Sequence, residues 1–107
     1  MKKIEALIRP YMLDKVKEAL EERSVRRMTV CEVKGAGREK EKVKYYRGIQ
    51  YLEDVAEVKV EVITDDADAD EVVQTMVNAL REGDVSEAEI AVFPIERALR
   101  VRANNRP

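Results

Sequence analysis

The same order of periods occurs twice in this chain, and that repetition is the strongest constraint on what it folds into. Residues 2–8 alternate apolar and polar before turning fully apolar, the pattern of a half-buried strand, and Pro10 stops it. Leu13, Val16, Ala19 and Leu20 then recur at helical spacing, which predicts an amphipathic helix over 12–22. Met28 to Lys34 is β-branched and reads as a second strand. After a long excursion the series restarts. Val58, Val60 and Val62 alternate with Lys59 and Glu61, and Val72, Val73, Met76, Val77 and Leu80 form a helical stripe over 68–81. Ile90 to Phe93 follow as a fourth strand ended by Pro94. Asp65, Asp66, Asp68 and Asp70 precede the second helix, where carboxylates cap exposed N–H groups. Gly83 stands where a left-handed cap would close that helix. Leu99 to Arg102 read as a short edge strand, and 103–107 as a flexible tail.

Strand, helix, strand, a long insert, then strand, helix, strand is the order of the split βαβ, or ferredoxin-like, sandwich. It is an α+β fold with four antiparallel strands and both helices on one face. With 107 residues the chain is read as a single domain, 1–107. The strands are apolar enough on both sides that the uncovered sheet face calls for a second copy, so an oligomer is expected.

The absences restrict the chemistry. Without histidine there is no imidazole base and no histidine metal ligand, and one cysteine, Cys31, builds neither a zinc site nor an internal disulfide. An enzyme is not expected, nor a bound metal. The lone thiol and the lack of a signal-like or 18-residue apolar run fit a cytoplasmic protein that does not insert into membranes. Charged residues make up 39% of the chain yet cancel to −2, so no global attraction to nucleic acid is expected.

Residues 36–57 form the insert, and they show no convincing period. From Lys34 to Arg47 the chain carries six basic and two acidic residues, and Tyr45, Tyr46 and Tyr51 are interleaved or follow. Loops this long are usually functional, and a basic aromatic arm with Lys40, Lys42, Lys44, Tyr46, Arg47 and Tyr51 suits docking on a partner protein. A solvated β-hairpin extension without a role is the alternative. Gly35-Ala-Gly37-Arg38 leaves a strand with glycine freedom and a guanidinium, either an anion cradle or a plain turn. Arg100 and Arg102 share a side at strand spacing, as a cationic clamp or as part of a solvated basic tail.

Over nearly its whole length the chain resembles the P-II nitrogen-regulatory family. The similar segments are Met1-Lys-Lys-Ile-Glu-Ala, Arg9-Pro10, Leu13-Asp14-x-Val16-Lys-Glu-Ala-Leu20 and Met28-Thr-Val-x-Glu-Val-Lys-Gly35-x-Gly-Arg38. They continue with Tyr46-Arg-Gly48-x-x-Tyr51, Val58-Lys-Val-Glu61 and Arg100-x-Arg102. The resemblance implies a homotrimer with clefts between subunits that hold ATP or ADP, magnesium-ATP there recruiting 2-oxoglutarate. It implies Thr29 and Glu61 near the adenine and Gly35, Gly37, Arg38, Arg100 and Arg102 near ribose and phosphates. It also implies a long loop that engages a membrane transporter, an enzyme or a transcriptional regulator. Tyr51 matches a tyrosine that some members have modified.

The differences gather on the ligand positions. Glu39 replaces the family's glutamine after the arginine, and Glu57 replaces the lysine that pairs with 2-oxoglutarate. Ser86-Glu87-Ala88-Glu89 replaces a Gly-x-Gly-Lys phosphate cradle. A carboxylate facing a dicarboxylate is repelled by a few kcal/mol at short range, so 2-oxoglutarate is not expected to bind. ADP, AMP or a weakened ATP is the expected nucleotide, with no cofactor required. The alternative is a constitutive interaction protein with a decayed nucleotide site.

Overall fold

The computed structural model describes residues 1–25, 27–35, 41–83 and 87–103. Its elements are β1 (Lys2–Ile8), α1 (Leu13–Glu22), β2 (Met28–Gly35), β3 (Glu41–Tyr46), β4 (Ile49–Thr64), α2 (Ala69–Glu82) and β5 (Glu89–Pro94). One turn of 3-10 helix leads into each α-helix, at Pro10–Met12 and Asp66–Asp68. The core strands lie in the order β2-β4-β1-β5 with every neighbour antiparallel. This is the ferredoxin-like arrangement.

Alternation decides which face is covered. Ile4, Ala6 and Ile8 of β1 and Val58, Val60 and Val62 of β4 point to one side and are buried there. Met12, Val16 and Leu20 at α1 and Ala69, Val72, Met76, Ala79 and Leu80 of α2 meet them. Each fully buried aliphatic side chain contributes about 1.5–3 kcal/mol, so this single layer is the main source of stability.

The opposite face is less apolar than its sequence implied. Lys3 pairs with Glu5 at 3.5 Å and lies 4.9 Å from the Phe93 ring centre, while Lys59 approaches Glu61 at 3.9 Å. Ile63 and Phe93 are exposed beside them.

Two local expectations are corrected. Gly83 is not left-handed: its φ is −82°. The position favours glycine because a β-carbon would overlap the sulfur and methyl of Met12, a buried side chain. Alanine at a right-handed glycine normally stabilises by about 0.4–1 kcal/mol, whereas overpacking costs about 1–3 kcal/mol. Gly83→Ala is therefore expected to lower the urea midpoint, and in a Met12→Ala background the same change should raise it. The aspartates before α2 also act differently, since neither Asp65 nor Asp68 makes a side-chain cap. Asp66 instead accepts a 2.6 Å bond from the N-terminal ammonium, whose hydrogen bond and charge hold its carboxyl below the ordinary value.

The insert departs most from its reading as an aperiodic loop. β4 is one strand of 16 residues, beginning at Ile49 rather than near Val58, and β3 pairs with its first part from Glu41 opposite Asp54 to Tyr46 opposite Ile49. Arg47 and Gly48 close this hairpin with φ of 51° and 79°, the two-residue turn in which glycine is preferred. The period was hard to see because apolar residues fall on both faces of the ribbon, Val43, Tyr45 and Leu52 at positions of one and Tyr46, Ile49 and Tyr51 at positions of the other. The hairpin makes the molecule long, 66 × 32 × 22 Å, with a radius of gyration of 17.1 Å against about 13 Å for a compact chain of this size. Leu99 to Arg102 form no strand. Among the described residues no helix is long and apolar enough to cross a membrane.

Candidate functional site

The expected nucleotide residues fall into groups that the fold keeps apart. Thr29 on β2 lies directly opposite Glu61 on β4, so these two are brought together. The row they share continues through Glu5 of β1 to Ala91 of β5. Glu5 and Glu61 are thus direct cross-strand neighbours of like charge, a pairing that is unfavourable unless each is compensated. Lys3 and Lys59 supply that compensation from two positions away on each strand. Gly35 ends the same β2 edge, opposite the buried Val55. Gly37, Arg38, Glu39 and Lys40 lie outside the described residues.

Arg100 and Arg102 are exposed in the irregular segment after β5. β5 is the opposite edge strand, three strand spacings or about 14 Å from β2. The segment also departs from the wrong end to reach Gly35. Pro94 pairs with Lys2, which pairs with Thr64, and the Ile95 N–H donates to the Met1 carbonyl at 3.0 Å. From Thr64 back to Val55 is about 30 Å of strand, while the six residues from Pro94 to Arg100 span about 20 Å at full extension. Within one chain, Arg100 and Gly35 do not meet.

The start of β5 belongs to the same far edge. Glu87 and Ala88 are exposed and Glu89 pairs opposite Leu7, while Ser86 lies outside the described residues. Glu57 behaves differently from a surface loop residue: it is only 8% exposed, opposite Val33 on the β2 edge. Its burial was hidden in the sequence because Val55 and Glu57 lie outside the apolar alternation that marked the strand.

The residues expected to dock on a partner are placed by backbone register. Lys42 is opposite Glu53, Lys44 opposite Tyr51 and Tyr46 opposite Ile49, so these six positions share one face of the ribbon, with Arg47 at its tip. The other face takes Glu41, Val43 and Tyr45 with Asp54, Leu52 and Gln50. One face therefore carries two lysines and one glutamate, and the other two carboxylates and no cation. At the base, Gly35 and Glu41 pair with the adjacent residues Val55 and Asp54. Six steps of chain on one side are matched by a single step on the other.

Comparison with known proteins agrees with this arrangement. A family model described as Nitrogen regulatory protein P-II matches residues 1–105. The Nitrogen regulatory protein P-II of Nostoc punctiforme is 41% identical over 107 residues, covering 99% of this chain and 96% of that protein. That of Rhizobium meliloti is 44% identical over 103 residues, covering 95% and 92%. The Nitrogen regulatory protein P-II 1 of Escherichia coli K12 is 42% identical over 103 residues with the same coverage. P-II proteins are regulatory signal transducers that bind partner proteins and are not enzymes. With the full-length match and a split βαβ fold extended by a hairpin arm, this chain belongs to the nitrogen regulatory P-II family.

Proposed function

We propose that this chain acts as a cytoplasmic homotrimer that binds an adenine nucleotide between copies and controls a partner protein through residues 36–57. The observation that carries the reading is the separation of the site residues over opposite sheet edges. Thr29 and Gly35 lie along the edge strand β2, with Glu61 opposite Thr29 on β4, while Arg100 and Arg102 leave the β5 edge. A site using all five needs the β2 edge of one copy and the tail of the next, a head-to-tail contact that closes into a ring. In this reading Thr29 and Glu61 hold the adenine, and Gly35, Gly37, Arg38, Arg100 and Arg102 hold ribose and phosphates. The arm docks through Lys40, Lys42, Lys44, Tyr46, Arg47 and Tyr51 on a transporter, an enzyme or a transcriptional regulator. Tyr51 is a candidate for modification.

Glu87 and Glu89 limit the number of phosphates that the site favours. Each added phosphate brings negative charge toward carboxylates, so ADP or AMP should bind at least as tightly as magnesium-ATP, and 2-oxoglutarate should add nothing. Calorimetric titration with AMP, ADP and magnesium-ATP, each with and without 2-oxoglutarate, tests this. Tight magnesium-ATP strengthened by 2-oxoglutarate contradicts the assignment of Glu39, Glu57 and Glu89. A hairpin whose register is set by its own Arg47-Gly48 turn favours a second reading, in which the arm docks constitutively and the nucleotide site has decayed. Absence of heat with all three nucleotides selects that reading.

A further inference from the structure

The row of the uncovered face that joins Thr29 to Glu61 continues to a residue that the nucleotide reading does not use. Glu5 on β1 lies directly opposite Glu61 on β4, and beyond it the row ends at Ala91 of β5. β1 and β4 are the two inner strands of the core sheet, so both glutamates stand on backbone that is paired on both sides. Like charges in direct register oppose each other, and here each is answered separately. Lys3 Nζ is 3.5 Å from Glu5 Oε2, and Lys59 Nζ is 3.9 Å from Glu61 Oε1.

The lysines also fix where the carboxylates are open. Lys3 pairs opposite Ile63 and Lys59 opposite Leu7, so the two ammonium-bearing residues flank the glutamate row from opposite sides and neither belongs to it. Lys3 is itself held, 4.9 Å from the centre of the Phe93 ring. Glu5 is the more enclosed carboxylate, with 19% of its side chain exposed against 31% for Glu61. A contact with it is therefore less screened by water than one at an exposed rim.

These positions match one chemical group. The two N–H bonds of an amino group on a flat ring point about 120° apart, so acceptors about 2.9 Å away along both are about 5 Å from each other. Neighbouring strands are about 4.8 Å apart, and residues in direct register have β-carbons about 4.5–5.5 Å apart. Two lysines and two glutamates sum to zero charge, which favours a neutral donor over a cation. We propose that Glu5 is a further specificity residue of the nucleotide site, accepting one N–H of the adenine 6-amino group while Glu61 accepts the other. The proposal rests on the reading that Glu61 lies at the adenine. A base with a carbonyl at that position donates neither bond and turns its lone pairs toward two carboxylates.

Calorimetric titration of the full-length protein with AMP, IMP, GMP and the 6-dimethylamino analogue of AMP tests the assignment. AMP is expected to bind about tenfold or more tightly than the other three, since each lacks the 6-amino N–H groups. Glu5→Gln carries an amide N–H that donates to a carbonyl, so it should weaken AMP, strengthen IMP and narrow the AMP-to-IMP ratio about tenfold. A purely structural role for Glu5 would instead weaken both nucleotides alike. IMP or the dimethylamino analogue bound as tightly as AMP overturns the amino-group contact, whatever the variant does. An AMP-to-IMP ratio equal in Glu5→Gln and the parent removes Glu5 and leaves the adenine reading standing. No heat with any of the four nucleotides overturns both.

Discussion

Truncating Ile4 to alanine is expected to lower the unfolding free energy by about 2–5 kcal/mol, a large share of what a domain of this size possesses. Ile4 is fully buried on β1, an inner strand, with Val62 and Val92 opposite it on the two neighbouring strands. Both flanking strands fix the backbone, so the site has little freedom to collapse around a smaller side chain and a cavity remains. Urea denaturation should show a lower midpoint with an unchanged slope, the sign that stability and not unfolded-state compactness has moved. Lys3→Ala, one residue away on the charged face, should change stability by less than about 1 kcal/mol. A similar loss for both variants would mean that the uncovered face is as important to the fold as the core.

The second large effect tests the proposal that a nucleotide site is completed between copies. Arg100→Ala and Glu61→Ala should each weaken AMP binding by about 1–3 kcal/mol, the usual size for losing a charge-assisted contact. Mixing the two variants after unfolding and refolding together separates a site within one chain from a site between chains. If every site joins the β2 edge of one copy to the tail of the next, about one site in four receives both intact halves from an equal mixture. Calorimetry of the mixture should then recover a minority of sites with the parental affinity. Recovery of no such sites, with both variants folded, places Arg100 and Glu61 of the same chain at one nucleotide.

Much of the fold was readable because burial on a single face imposes a period. Ile4, Ala6 and Ile8 on β1 and Val58, Val60 and Val62 on β4 alternate since only one side of the sheet meets the helices. The stripes Val16–Leu20 and Val72–Leu80 recur helically for the same reason. The arm obeys no such rule. Tyr45, Tyr46, Ile49 and Tyr51 occupy both faces of a ribbon, and its register is set by Arg47-Gly48, a turn signal spanning only two residues. Gly83 misled because a glycine after a helix usually signals backbone conformation, whereas here it makes room for Met12 from another segment. The candidate site was legible only as residue types. That Thr29 and Glu61 are neighbours follows from register, and that Arg100 lies across the sheet from them follows from strand order. Neither is available before the strands are assembled.

β4 runs without interruption from the arm's tip to the far end of the core, so it works as a single spar shared by two unlike structures. From Val55 to Val62 it is held by β2, and β1 grips it along its second half, whereas from Ile49 to Asp54 its described partner is β3. Flanked on both sides from Val58 to Val62, β4 keeps one described partner from Glu57 outward, and between Asp54 and Val55 that partner changes from β2 to β3. A displacement of the tip at Arg47 reaches the core through a strand that gains its second neighbour only at Val58. Glu57 lies just outside that position and Glu61 three residues inside it. The arm's tip and Glu61 thus sit on one continuous beam, on opposite sides of the point where its lateral support doubles.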